Sequence, residues 1–275
     1  MSVERMLNNF SIEQICDSGQ CFRMTKLDDG AVEVIAMGKY LKVYQNGDKV
    51  TFMCDEDDFK YIWSSYFDLN TDYGMVIDSI DKNDSYLINA AEFGKGIRIL
   101  NQDLWEMIIS FIISQRNNIK RIRKCIASLC EAYGEKVIYT CEDGEITEYY
   151  DFPKADVLAK ADINDLMKLS VGYRAEYILR AARDVASGAV DLKALELLDY
   201  KKAKEKLLQM YGVGNKVADC ICLFALHHVD AFPMDTHMIY IVDNEYEGSF
   251  PLWRYPGCAG ILQQYMFYYD LNKRS

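Results

Sequence analysis

Proline and histidine are scarce in this 275-residue chain, at four and three residues, and no two cysteines are spaced C-x-x-C. Too few histidines and no cysteine pair of that spacing argue against a structural zinc site. With so little proline, and with neither low-complexity tracts nor internal repeats, no flexible linker is expected. Long apolar runs are missing too. The longest, around Ile108 to Ile113, falls far short of the roughly 20 residues that cross a bilayer. The leading MSVERMLNNFSIEQ is polar and of mixed charge, without the apolar core of a secretion signal. A soluble, cytoplasmic protein with no membrane association is expected.

Net positive charge is also absent. The formal charge of −11, taken alone, argues against nucleic-acid binding, because counterion release needs lysine and arginine. The distribution changes that reading. Residues 1–100 hold 10 basic and 17 acidic side chains and residues 101–275 hold 21 and 25, while Arg116 to Lys124 carries five basic residues and no acidic one. Local charge decides phosphate contact, and the acidic remainder is expected to cover surface facing away from DNA.

Cysteine is plentiful by contrast: nine are scattered along the chain, at positions 16, 21, 54, 125, 130, 141, 220, 222 and 258. An odd count at irregular spacing, without a secretion signal, fits reduced thiols that pack as small apolar side chains.

Half of the residues are hydrophobic, enough for one large domain or two modest ones. From Gln20 to Cys54 apolar and polar residues alternate, punctuated by turn signals at Asp28-Asp29-Gly30, Gly38-Lys39 and Asn46-Gly47. Helical spacing follows from Asp57 to Tyr66 and again from Ser85 to Phe93. Beyond Asn101 nearly everything is helical, apart from a loop or short-strand insertion at Tyr139 to Asp151. An α+β fold is therefore predicted. Residues 1–100 would form an antiparallel sheet domain with helices, and residues 101–275 a helical domain.

Leu207 to His237 is the most informative stretch. A helix is predicted to end at Gly212-Val213-Gly214 and another to start at once with Lys216. Asp235 follows nineteen residues later at the head of a third helix. Glycines permit close backbone approach, so the turn can offer N–H groups to a phosphate. An amine nucleophile must be neutral part of the time, and the positive end of a helix dipole disfavours the ammonium. Asp219 would oppose that effect if it faced Lys216; a favourable charge early in the helix is its ordinary role. Asp235 would supply a fixed anion against a sugar cation, and is equally suited to cap the helix at Thr236. On the turn alone, a plain helix–turn–helix with a solvent-facing lysine explains the pattern as well.

GVGNKVADCICL followed by PMDTH resembles the helix-hairpin-helix-GPD superfamily of DNA glycosylases, and within it the 8-oxoguanine DNA glycosylase/AP lyase family, as a prokaryotic member. SGQCFRM near residue 20, QDLWEMIISFIISQRNNIKRI from Gln102, VGYRAEYI from Val171 and AGILQQYMFYYDL from Ala259 resemble family blocks in the same order, so nearly the whole chain is covered. The resemblance implies flipping of 8-oxoguanine out of duplex DNA, cleavage of its glycosidic bond by Lys216 and strand scission by β-elimination through a Schiff base, with Asp235 stabilising charge.

The resemblance assigns further roles. The Gly19 carbonyl would accept from N7–H of the lesion. Gln263 would meet its Watson–Crick edge, with Phe267 and Cys220 closing its two faces. Asn118, Arg121, Tyr173 and Arg174 would fill the gap and contact the orphaned cytosine. Gly212, Gly214 and His237 would lie against the DNA backbone. Ordinary alternatives stand beside these: a turn glycine at Gly19, a core ring at Phe267, a capping or core histidine, a solvated basic edge. Arg116 departs from the eukaryotic pattern, which has a further asparagine there, and this puts stringency for cytosine in question. No iron–sulfur cluster fits, since only Cys258 follows Asp235; a structural cation on the hairpin carbonyls is compatible. The expected partner is lesion-bearing double-stranded DNA, bound by a monomer. Rival readings are a glycosylase for other damaged purines and a non-catalytic helix-hairpin-helix DNA-binding protein.

Overall fold

The computed structural model describes residues 1–140 and 146–273; Cys141 lies outside them. The chain divides into two compact units, Met1–Val34 with Leu41–Asn101 and His227–Ser275, and Ile35–Tyr40 with Gln102–Leu226.

The antiparallel sheet predicted from alternation is present. Its strands are β1 (Val3–Met6), β2 (Met24–Lys26), β3 (Val32–Ala36), β4 (Lys39–Asn46) and β5 (Lys49–Phe52), in the order β1-β5-β4-β3-β2. Asn46 pairs with Lys49 across a two-residue turn in which Gly47 adopts φ +60°, the left-handed geometry that tight hairpins need. β1 is an addition to the expected strands. It buries only Val3, opposite Phe52, and carries charge at Glu4 and Arg5, as edge strands often do.

Phe10, Phe52, Phe59, Trp63, Tyr66 and Phe67 form an aromatic core at centroid separations of 5.1–6.3 Å, mostly edge to face. Each buried ring contributes about 2–3 kcal/mol by removal from water. In the same unit the helices Ser85–Gly94 and Thr236–Glu245 pack on Ala259–Lys273. Gly94 lets the first of these approach: a Cβ there would sit 3.3 Å from Tyr265. Ala259–Lys273 is buried on nearly every side, including Gln263, Gln264 and Asp270. Polar groups held inside a helix core need partners there, and theirs shape the site described below.

The second unit is built around Leu104–Ser114, whose residues from Leu104 to Ile113 are all buried. Asp103 caps it by accepting from Glu106 N–H at 2.7 Å. Amphipathic helices Ile119–Tyr133, Arg174–Ala186 and Asn215–Phe224 pack against it. The expected insertion is an antiparallel hairpin of β6 (Lys136–Thr140) and β7 (Ile146–Tyr150), with Tyr139 and Tyr149 against Tyr40. Among the described residues no helix is long and apolar enough to cross a membrane.

Candidate functional site

In the second unit, helix Tyr200–Leu207 runs into a turn closed by Val213 N–H donating to the Met210 carbonyl at 3.1 Å. Gly212 is required there twice over. Its φ is +85°, and a Cβ would fall 2.5 Å from the Tyr177 ring. Gly214 is different. Its φ of −99° suits any residue, and nothing lies within 4 Å of where its Cβ would point. Helix Asn215–Phe224 then begins without a side-chain cap, and among the described residues nothing accepts from the amides of Asn215, Lys216 and Val217. Amides left uncapped at a helix start carry partial positive charge and favour a nearby anion.

The two glycines differ in what an added side chain would cost. Gly212→Ala should cost roughly 2–4 kcal/mol through positive-φ strain and the ring clash, read as a lowered Tm. Gly214→Ala should leave Tm nearly unchanged while weakening duplex affinity in a fluorescence titration.

Lys216 is half-buried, with Nζ 5.4 Å from the centroid of Phe111, and no carboxylate among the described residues pairs with it. Asp219 faces away from that role. Its buried carboxylate accepts from Tyr200 Oη at 2.6 Å and Lys204 Nζ at 2.9 Å, so it is an internal ion pair and not a charge beside Lys216. Cys220, one turn beyond Lys216, is buried.

Asn118 caps its helix, Oδ1 accepting from Arg121 N–H at 2.9 Å, and the exposed Arg121 reaches the Ser170 carbonyl at 3.3 Å. Tyr173 is 51% exposed, its ring edge-on to Tyr177 at 5.7 Å. Arg174 is only 5% exposed. Its guanidinium donates to the carbonyls of Gln115, Arg116 and Val171, so it braces the loop instead of presenting donors to solvent. That loop holds the exposed Arg116 at φ +48°, and Gln115 Nε2 ties it to the Gly212 carbonyl at 3.0 Å. Among the described residues no cluster of three or more acidic, histidine or cysteine side chains forms.

The first unit gathers the other candidates around Ala259–Lys273. Asp235 Oδ1 accepts from Met238 N–H at 2.9 Å and so caps Thr236–Glu245. His237 Nδ1 donates to the buried Asp270 at 2.9 Å and sits edge-on to Phe267, with centroids 5.6 Å apart. Gln263 Nε2 donates to the Pro233 carbonyl at 3.3 Å, yet among the described residues its buried Oε1 has no partner. An amide oxygen left unpaired inside a protein is costly unless something else meets it. Gly19 adopts φ +79°, and among the described residues its carbonyl accepts no hydrogen bond. Asp270 and Gln264 escaped the sequence reading, because a buried polar residue looks like a surface one until its partner is known.

The 8-oxoguanine DNA glycosylase N-terminal domain matches residues 2–108, and the HhH-GPD superfamily of base excision DNA repair proteins matches residues 109–246. The chain belongs to the 8-oxoguanine DNA glycosylase family. An N-glycosylase/DNA lyase of Saccharomyces cerevisiae is 34% identical over 210 residues, 71% of this chain and 54% of that protein, so the chain spans about half of the yeast relative. A probable N-glycosylase/DNA lyase of Methanothermobacter thermautotrophicus is 29% identical over 237 residues, 76% of this chain and 72% of that protein. The crystal structure of Clostridium acetobutylicum 8-oxoguanine glycosylase/lyase, with double-stranded DNA containing cytosine opposite 8-oxoG, superposes with TM-score 0.91 at 34% identity, covering 100% of this chain and 99% of that one. Family membership and the sheet-plus-helical architecture are as the motifs predicted.

Proposed function

We propose that this chain is a bifunctional DNA N-glycosylase/AP lyase that removes 8-oxoguanine from duplex DNA. The observation that carries the reading is the amine of Lys216, in the first turn of an uncapped helix with no anionic partner among the described residues. The hairpin amides at residues 215–217 hold backbone phosphate, and Tyr173, Asn118 and Arg121 occupy the gap left by the extruded base, whose extrusion costs a few kcal/mol. Arg174 acts by fixing the loop that carries Arg116 and Asn118.

The chemistry follows from residue types. Lys216 adds through its neutral amine to C1′ while the C1′–N9 bond breaks and the base leaves with a proton. Asp235 stabilises positive charge developing on the sugar. Ring opening yields a protonated imine on Lys216; loss of a C2′ proton expels the 3′ phosphate and nicks the strand. Recognition rests on one proton. Guanine N7 is an acceptor, whereas 8-oxoguanine carries hydrogen there, so the unpaired Gly19 carbonyl favours the lesion. Gln263 Oε1 is an acceptor for donors on the base edge, and Phe267 offers an aromatic face for the base to stack on. A single copy supplies every residue named, consistent with a monomer, and no step calls for a cofactor.

Incubation with an 8-oxoguanine:cytosine duplex and borohydride should yield a covalent protein–DNA adduct. Absence of an adduct with the wild-type chain sinks the lyase reading, and equal excision of methylated purines moves the substrate class elsewhere. Running all four opposite bases reads the stringency for cytosine that Arg116 puts in question.

A further inference from the structure

We infer that Gln264 is a positioning residue for lesion recognition, holding the peptide that aims the Gly19 carbonyl; this rests on the recognition reading above. The problem it solves is conformational. Glycine is the most permissive residue, and Gly19 at φ +79° is free to swing its carbonyl through a wide range of ψ. A single acceptor that tells N–H from a lone pair needs a fixed direction, since hydrogen bonds weaken steeply when misaligned.

Two glutamines supply that constraint. Gln264, 2% exposed, donates through Nε2 to the Ser18 carbonyl at 2.6 Å, fixing the peptide that enters Gly19. Gln20 is fully buried on the other side. Its Nε2 donates to Ser18 Oγ and the Arg98 carbonyl, both at 2.9 Å, and its Oε1 accepts from Leu100 N–H at 2.8 Å. Ser18 Oγ is fastened in turn to the Ile15 carbonyl at 2.7 Å. Ser18 and the Gln20 side chain, on either side of Gly19, are thus held, while among the described residues nothing donates to the Gly19 carbonyl. Gln264 is also next to Gln263 on the same helix, so one rigid element carries the base-edge amide and the tether of the N7 acceptor.

The test pairs two substrates. Single-turnover excision of 8-oxoguanine requires recognition, whereas nicking of a preformed abasic site needs Lys216 but no base. In Gln264→Met, which keeps length and loses the donor, excision should fall roughly 10–100-fold, mostly in the rate at saturating enzyme, as expected for sub-ångström misplacement. Abasic-site nicking should stay within about twofold, and the binding preference for an 8-oxoguanine over a guanine duplex should shrink. Gln264→Glu should regain excision as pH falls, because only the protonated acid can donate to Ser18. Equal loss of excision and nicking, failure of both variants to fold, or unchanged excision in Gln264→Met would each overturn the inference. A wild-type chain that does not prefer 8-oxoguanine over guanine would instead overturn the recognition reading beneath it.

Discussion

Lys216→Gln should eliminate the borohydride adduct and lower excision by roughly 10³-fold or more, the scale seen when a nucleophile is removed. The side chain is half-buried and makes no ion pair among the described residues, so little stability is at stake. Its contact with Phe111 at 5.4 Å is worth about 0.5–1 kcal/mol, and Tm should hardly move. Duplex affinity should also persist, because the proposed phosphate grip belongs to the backbone amides at residues 215–217 and not to the lysine amine. Loss of chemistry with folding and binding intact is the signature sought. Lys206→Gln is the matched control, an exposed lysine on the preceding helix of the same hairpin; it should trap like wild type. An adduct that survives in Lys216→Gln would assign the nucleophile to another amine.

Why Lys216 was legible while Gln264 was not has a physical explanation. A glycine turn between two helical patterns marks, by local geometry alone, where the second helix begins, to within one residue: at Asn215, just ahead of Lys216. Asp235 was legible for the same reason, as a cap is a contact with its own helix three residues on. The alternation around Asn46-Gly47 likewise specified β4 and β5. β1 escaped because one buried residue, Val3, leaves no alternation to see. Asp219 and Arg174 show a harder limit. The partner of Asp219 is Lys204, fifteen residues earlier, and Arg174 donates to carbonyls almost sixty residues away. No local pattern separates such internal charges from solvated ones. Gln264 and Asp270 lie on a helix buried on nearly all sides, so no polar stripe marks which face meets what.

Asp235→Asn should reduce excision of 8-oxoguanine by roughly 10²–10³-fold, the range for removing one preorganised charge from a transition state, while leaving stability almost untouched. Asparagine is the informative substitution because Asp235 caps its helix and is proposed to carry the catalytic charge as well. Its Oδ1 accepts from Met238 N–H at 2.9 Å, and asparagine caps helices about as well as aspartate. The variant therefore keeps the cap and loses only the charge. Asp235→Ala removes both, and should add about 1 kcal/mol of destabilisation without much further loss of excision rate. If capping were the whole role, Asn would act at the wild-type rate and only Ala would fail, in step with its lowered Tm. Nicking of a preformed abasic site gives a second separation. No glycosidic bond remains to break there, so the positive sugar that the carboxylate steadies never develops. Asp235→Asn should consequently nick abasic DNA far better than it excises the lesion. An equal deficit on both substrates would place the aspartate's charge after base loss, at imine formation or elimination.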